Sequence, residues 1–183
     1  MEIKAYTQKY EDSWIRCRTL SFLYTQYYDD VLHNKPEIHG IELICIEGDI
    51  VIGLIDVEVS NSYCSYDKNK REAMIETIAV HPDYQFKGIG NMLLAEVEKR
   101  LFQKEIEYIE AWTREDESSN KWYIKNGFEQ FNSYYHVFTN GDVIPANAKF
   151  QPIYSFGYVL DRTQIDEDAI DRIYECRGYV KQI

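Results

Sequence analysis

Long apolar runs are absent from this 183-residue sequence. A membrane-spanning helix needs roughly 20 consecutive apolar residues, and the apolar runs here are only a few residues long. The N-terminal residues MEIKAY also lack the apolar stretch of a secretory signal peptide. We therefore expect a cytoplasmic protein with no membrane partner.

Closely spaced cysteines and an excess of positive charge are also missing. The four cysteines form no CxxC pair, so they fit neither a zinc site nor a small disulfide framework: Cys17, Cys45, Cys64 and Cys176. The histidines share no metal-ligand spacing, and no metal is expected. The net charge of −11 argues against a nucleic-acid partner, because binding the phosphate backbone needs clustered Lys and Arg. It favours a cationic ligand.

The length and the composition, with 45% apolar and 28% charged residues, indicate one domain over residues 1–183. The clearest helix spans Ile89–Lys104, because apolar residues recur there every four positions. The patterns predict an α/β (α+β mixed) fold, a mixed sheet with helices on both faces. In chain order, the predicted elements are strand Glu2–Tyr6, one or two helices within Tyr10–His33, strands Ile41–Glu47, Ile50–Ser60 and Ala73–Val80, helix Ile89–Lys104, strand Ile106–Thr113, helix Asp116–Lys125, strands Phe131–Thr139 and Tyr154–Leu160, and a closing helix Thr163–Arg177.

The segment Ile75–Gly90 carries the most chemical information. A strand leads into a short loop with Gly88 and Gly90, and a strong helix follows. Unpaired N–H groups at the positive end of a helix dipole form a seat for pyrophosphate, to which Lys87 adds charge. The alternative is a tight strand-to-helix turn without a ligand. A dinucleotide GxGxxG motif is excluded because Leu93 stands at its third glycine, and a Walker A loop because Lys87 is not followed by Ser or Thr.

The loop Gln85–Gly90 and a downstream group of residues, Asn120, Tyr123 and Gly127-Phe128, resemble two motifs of the GNAT superfamily of acetyltransferases. The residues Gln85-Phe86-Lys87-Gly88-Ile89-Gly90 resemble the family's Q/R-x-x-G-x-G/A acetyl-CoA signature, and a strand ending in Ala79-Val80 precedes them. Asn120, Tyr123 and Gly127-Phe128 resemble its second motif, N-x-x-Y-x-x-x-G-F. The resemblance covers about Glu2 to Thr139. It implies a central, mostly antiparallel mixed sheet flanked by helices, with residues 139–183 as an atypical C-terminal strand and helix extension.

The resemblance also implies roles for individual residues, with acetyl-CoA as the co-substrate. The backbone of Ile78, Ala79 and Val80 would pair with the pantetheine arm, and the N–H of Ile78 or Ala79 would stabilise the oxyanion of the intermediate. Asn120 would contact the cofactor arm. Tyr123 would protonate the departing thiolate, or alternatively only pack its ring against the sheet. The pyrophosphate would be held by Gln85, Phe86, Lys87, Gly88, Ile89, Gly90 and Asn91.

The acceptor amine needs a base, because an amine with a pKa of about 10.4 is mostly charged at neutral pH. Glu76 is the candidate. Strand alternation would place it on one face with Met74, Ile78 and Val80, where apolar neighbours would raise the pKa of its carboxyl group. A purely structural carboxylate is the alternative. Asp56 and Glu58 are lesser candidates for binding a cationic acceptor. His81 fits capping or solvent exposure better than catalysis, and core packing is preferred to a pocket wall for Trp112 and for the segment Trp14–Tyr28.

These features together predict an acetyl-CoA-dependent N-acetyltransferase that moves an acetyl group to a primary amine of a small molecule or a peptide. The amine would attack directly, through a tetrahedral intermediate. The alternatives are a non-catalytic acyl-CoA-binding or sensing module, and an enzyme that uses another acyl donor. The C-terminal extension has two open roles, covering the acceptor side or forming a homodimer by exchange of a strand or helix.

Overall fold

The structure, a computed structural model, describes residues 1–59, 64–140, 154–165 and 167–183. Three helices and eight strands make up its regular elements within these ranges. The helices are α1 (Glu11–Phe22), α2 (Ile89–Gln103) and α3 (Glu117–Lys125). The strands are β1 (Glu2–Ala5), β2 (Gly40–Glu47), β3 (Ile50–Glu58), β4 (Glu72–Val80), β5 (Tyr108–Arg114), β6 (Glu129–Asn140), β7 (Tyr154–Val159) and β8 (Ile170–Gln182).

The strands form one sheet in the order β1-β2-β3-β4-β5-β8-β6-β7. Within the described ranges, β4 and β5 are the one parallel pair, and the other neighbours are antiparallel. The predicted mixed, mostly antiparallel sheet is therefore confirmed. No helix in these ranges is long and apolar enough to cross a membrane.

Helices cover both faces of this sheet. On one face, α2 buries Ile89, Leu93, Val97 and Leu101 against β2–β5, in the four-residue spacing that the sequence predicts. On the other face, α1 buries Trp14 and Cys17 against β2 and β3. Side chains alternate between the faces along a strand, so Ile55 packs under α2 and its neighbour Leu54 packs under α1. Both hydrophobic clusters include residues of β3 and β4, so these two strands lie at the centre of the packed N-terminal part of the sheet.

The closing helix predicted for Thr163–Arg177 is wrong. The spacing of Ile165, Ala169 and Ile173 fits a helix, but two short 3-10 turns precede a long strand, β8. β8 pairs with β5 on one side and with β6 on the other. Its Tyr179 and Val180 are buried there, and aromatic and β-branched residues suit that environment. Sheet pairing on both edges thus overrides the local helical pattern.

The region predicted as helix over Tyr10–His33 holds a 3-10 turn, Gln8–Tyr10, and the single helix α1. Residues 23–39 follow α1 without a helix. Lys35 anchors them, because its buried ammonium lies 3.3 Å from Asp56 and also bonds Glu42. This anchoring places the residues after α1 over the sheet. The loop predicted over Asn61–Arg71 is irregular where it is described, from Cys64 onward, and the predicted turn at Asn140-Gly141 lies partly outside the described residues.

Candidate functional site

A gap between β4 and β5 forms the frame of the site. The two strands pair only from Glu72↔Tyr108 to Ile75↔Ala111. Beyond Ile75, β4 continues to Val80 and β5 continues to Arg114 without further pairing between them. The strands therefore separate towards their carboxyl ends.

A β-bulge lies where the strands begin to separate. Asp56 pairs with Thr77, but Val57 pairs with Ile75, so Glu76 is the extra residue on β4. The bulge changes the alternation, and both Ile75 and Ile78 face the α2 side. The prediction that Met74, Glu76, Ile78 and Val80 share one face is therefore wrong. A bulge turns its side chain away from the regular pattern, and Glu76 is exposed to the gap.

The backbone of β4 presents polar groups to the gap. The N–H of His81 donates to Ile52 O at 3.0 Å, which makes this a hydrogen-bonded pair of the antiparallel ladder. Hydrogen-bonded and non-hydrogen-bonded pairs alternate along an antiparallel ladder. Ala79, two residues before His81, therefore directs its N–H and C=O towards β3, while Ile78 and Val80 direct theirs towards β5. In agreement, Val80 O accepts the side-chain amide of Gln85 at 3.2 Å. The N–H of Ile78 therefore faces the gap.

The loop after β4 leads into the N-terminus of α2. Gly88 caps the helix with φ of 81°, and no atom lies within 4 Å of the position that a Cβ would take. The first helical bond runs from Met92 N to Gly88 O, so Ile89, Gly90 and Asn91 have no intrahelical acceptor for their N–H groups. These donors point out of the helix at its positive end, as an anion site requires.

The side chains of this loop are exposed or bonded to neighbouring residues of the loop. Phe86 has φ of 61° and a fully exposed ring. Lys87 folds back, with its ammonium 3.0 Å from Asp83 O and over the ring of Tyr84. His81 accepts the N–H of Asp83 at 3.3 Å, which agrees with the capping role preferred for it. Backbone rather than side-chain groups are thus best placed to hold an anion.

Helix α3 supports the loop and contributes Tyr123. The indole N–H of Trp122 donates to Asn91 Oδ1 at 2.8 Å. Tyr123 is buried, its ring stacks on Tyr179 with centroids 5.3 Å apart, and burial raises the pKa of its hydroxyl well above the ordinary value. Tyr123 lines the gap. Its hydroxyl therefore keeps its proton at neutral pH.

Asn120 occupies a different place from the one its motif implies. Its amide nitrogen donates to Arg114 O at 2.8 Å and Asp116 O at 2.6 Å, and its oxygen accepts the hydroxyl of Tyr179 at 2.6 Å. The side chain is buried and does not line the cavity. In this structure Asn120 fastens α3 to β5 and β8.

The gap opens into a cavity of 540 Å³ that passes from the α2 face to the α1 face of the sheet. Its α2-side half is lined by the carboxyl end of β4, the loop and α3, including Ile78, Val80, Gln85, Gly88, Gly90, Asn91, Trp122 and Tyr123. Its α1-side half is lined by Arg18, Ser21, Phe22, Thr25, Tyr27, Asp30, Glu76, Trp112 and Thr113. A second groove, of 680 Å³, lies between β2 and the end of α2, and none of the predicted site residues lines it.

The α1-side half contains residues that sequence reasoning missed. Arg18 is buried and binds Asp30 at 2.7 Å, and the hydroxyl of Tyr27 accepts the N–H of Arg114 at 2.8 Å. Burial raises the pKa of Tyr27 to about 12. No motif marks these residues, since they meet only because residues 23–33 fold back over the sheet. The core packing predicted for Trp112 is wrong, because this side chain is half-buried and lines the cavity. Within the segment Trp14–Tyr28, Trp14 lies in the core as predicted, whereas Phe22 and Tyr27 line the cavity.

Two carboxylates and one guanidinium line this half, and one of the carboxylates, Asp30, is paired with Arg18. Partial loss of hydration in the cavity, and secondarily the neighbouring Glu58, raises the pKa of Glu76 above its ordinary value. Glu58 is buried and accepts the N–H of His39 at 2.8 Å. Asp56 lies outside the cavity lining in its ion pair with Lys35, and burial raises its pKa to about 7. Glu76 is therefore the carboxylate that β4 presents to the gap, whereas Asp30 is paired with Arg18.

All four cysteines are buried, and no disulfide joins them. One of them, Cys64, lies close to Glu72 and Glu110. The sulfur and the carboxylate oxygens, the atoms with which these side chains could bind a metal ion, are within 4.8 Å of one another. Both oxygens of Glu110 accept hydrogen bonds, from Ser65, Tyr66 and Trp112. These donors account for what Glu110 does in this structure, which is to tie the Cys64–Tyr66 loop to β5.

Comparison with known proteins identifies the class that this fold and site define. Residues 3–128 match the acetyltransferase (GNAT) family, and the chain belongs to that family. The match ends before β6, so β6, β7 and β8 lie outside it. No curated protein is similar enough to match the chain.

Solved structures share the fold over most or all of the chain. The ribosomal-protein-S18-alanine N-acetyltransferase of Escherichia coli is similar with a TM-score of 0.62 and 13% identity, covering 100% of this chain and 93% of its own. The PaiA N-acetyltransferase of Thermoplasma acidophilum, in complex with coenzyme A, gives 0.57 and 18%, covering 72% and 91%. A putative streptothricin acetyltransferase of Bacillus anthracis, in complex with acetyl-CoA, gives 0.52 and 18%, covering 88% and 70%.

Proposed function

We propose that the chain is an acetyl-CoA-dependent N-acetyltransferase whose acceptor is a primary amine. The observation that carries the proposal is the continuous path from the α2 N-terminus, along the unpaired edge of β4, to the α1-side half of the cavity. The pyrophosphate of the co-substrate fits the N-terminus of α2, and its amide-bearing pantetheine arm fits the unpaired edge of β4. The acceptor amine fits the α1-side half of the cavity, which carries the carboxylate of Glu76. Two of the solved structures with this fold hold coenzyme A or acetyl-CoA.

Ile78 is the residue we assign to the oxyanion. The sequence left Ile78 and Ala79 as alternatives, but the N–H of Ala79 is directed to β3 by the ladder. A donor aimed at the thioester oxygen would stabilise the negative charge that develops there. Val80, one pleat further along, would bond the arm of the co-substrate.

Proton transfer falls to Glu76 and Tyr123 in this proposal. The amine loses a proton to Glu76, and its nitrogen attacks the thioester carbon to form the tetrahedral intermediate. The intermediate then collapses: the C–S bond breaks, Tyr123 gives its proton to the leaving thiolate, and the amide nitrogen releases its second proton, which restores the hydroxyl of Tyr123. Burial raises the pKa of both side chains, which makes Glu76 a better base and keeps Tyr123 protonated. We assign Asn120 a structural role.

An acyl-CoA-binding module without catalysis is the second candidate, since the loop alone is enough for binding. The carboxylate at the bulge and the hydroxyl of Tyr123 in the same cavity favour the enzyme. Turnover of acetyl-CoA in the presence of amines separates the two.

The pyrophosphate seat is tested by two substitutions of equal size at Gly88. Asn and Asp both tolerate the left-handed conformation better than other residues, and open space surrounds the site. Gly88→Asp should weaken CoA binding at least about tenfold relative to Gly88→Asn, because its charge repels the pyrophosphate. Calorimetry and CoA-dependent thermal stabilisation measure this. Equal affinities of the two folded variants for CoA would refute the pyrophosphate seat. A nucleotide without the pantetheine arm, titrated in the same way, is the control for stabilisation that is specific to CoA.

A further inference from the structure

The indole ring of Trp112 is fixed by contacts on several sides. Its N–H donates to Glu110 Oε1 at 2.6 Å. Its ring meets Phe131 edge-on at 5.5 Å and lies tilted against Tyr134 at 5.1 Å. A half-buried tryptophan held in this way presents one defined surface to the cavity that it lines.

Glu110 is itself immobilised. It is fully buried, and it accepts the N–H of Ser65 at 2.8 Å, the N–H of Tyr66 at 3.0 Å and the hydroxyl of Ser65 at 2.9 Å. Two of these donors are backbone groups, so the carboxylate cannot rotate without losing them. The oxygen that holds the indole is therefore fixed relative to the sheet.

The neighbouring strand leaves room for the ring. Gly178 pairs with Trp112 across β5 and β8. A Cβ at Gly178 would lie 2.8 Å from the indole and 2.9 Å from the ring of Phe131. The space for Trp112 thus depends on glycine at this position.

We propose that Trp112 determines acceptor specificity, that Glu110 is its positioning residue, and that the acceptor is an amine with a second positive charge a few carbons away. This inference rests on the function proposed above. The reacting nitrogen must become neutral before it attacks, so it gains nothing lasting from negative charge or from a π-face. A second ammonium group stays charged, and the indole that lines the cavity attracts it together with the negative field of Glu76 and Glu58. The guanidinium of Arg18, in the same half, is paired with Asp30.

The test compares 1,4-diaminobutane with butylamine, two probes of equal length that differ by one charge. In the native protein the diamine should have a KM about tenfold lower than the monoamine. Trp112→Leu should reduce this ratio to near one, while the KM for acetyl-CoA changes less than about twofold. Tyr108→Phe is the matched control, because Tyr108 lies on the same strand and its ring contacts Tyr66 rather than the cavity; its ratio should remain native.

The positioning role of Glu110 is tested by a double-mutant cycle. Glu110→Gln should lower the diamine-to-monoamine ratio in the native background and leave it unchanged in a Trp112→Phe background, where no indole N–H exists. If Glu110→Gln fails to fold, Trp112→Phe alone reports on the bond, since it keeps the other three hydrogen bonds of Glu110, and it should lower the ratio about threefold.

Three results overturn the inference: an unchanged ratio in Trp112→Leu, equal effects of Glu110→Gln in both backgrounds, or no acetylation of either amine by a protein that binds acetyl-CoA. The last result leaves the co-substrate site standing. Absence of acetyl-CoA binding would instead refute the proposed function itself.

Discussion

At the scale of single residues, the site combines groups whose surroundings differ in polarity. Tyr123 lies in an aromatic stack, whereas Glu76 is exposed to a cavity beside another carboxylate. Their pKa values are raised for related reasons, loss of hydration in both and like charge in addition for Glu76. In the proposed mechanism the raised pKa makes the ionised Glu76 a stronger base and keeps Tyr123 protonated until the thiolate leaves.

The pH dependence of turnover tests Glu76. The base must be ionised, so kcat/KM should fall as pH drops through its raised pKa. Glu58→Gln removes the repelling charge and keeps an acceptor for the N–H of His39. It should therefore shift this acidic limb to lower pH. Glu76→Gln should abolish the limb and lower kcat about 100-fold. An unchanged limb in Glu76→Gln would show that another group is the base.

Tyr123→Phe tests the acid. The ring and its stack on Tyr179 are kept, and only the hydroxyl is lost. We expect kcat to fall about tenfold, a modest effect because a thiolate leaves readily, with the affinity for acetyl-CoA unchanged. Tyr179→Phe is the control: its hydroxyl bonds Asn120 outside the cavity, so it should reduce stability and spare kcat. Equal kcat values for both variants would contradict the acid role.

At the scale of elements, the bulge in β4 and the divergence of β4 from β5 create the site. The bulge at Glu76 directs a carboxylate into the gap, and the divergence leaves the backbone of Ile78 and Val80 without a strand partner. β8 then closes the other side of β5. Each feature is a departure from regular pairing, and the cavity exists because the departures adjoin one another.

Gly178 in β8 offers a prediction on stability. Gly178→Ala should reduce the free energy of unfolding by about 1–3 kcal/mol, because the new methyl group would meet the rings of Trp112 and Phe131. Gly157→Ala, in the edge strand β7, is the matched control with no atom within 4 Å of the added Cβ, and it should be neutral or slightly stabilising. Denaturant unfolding measures both. Equal losses would mean that Gly178 does not provide the space for Trp112.

At the scale of the whole molecule, the C-terminal residues complete the sheet rather than append to it. β8 lies between β5 and β6, and Ile183 N bonds Glu107 O beside the start of β5. The rings that hold Trp112 come from β6, and its glycine comes from β8. The α1-side half of the cavity is therefore built and supported by residues from both ends of the chain, including α1 and the segment that follows it.

The sequence by itself determined the α/β class, helix α2 and the glycine-containing loop that precedes it, because local periodicity and short motifs encode them. The tertiary structure decided that residues 170–182 form a strand, that Ala79 turns away from the gap, and that Asn120 is enclosed. It also brought Arg18, Tyr27 and Trp112 to one cavity. These outcomes depend on strand register, a one-residue bulge and contacts between distant segments, which no local pattern specifies.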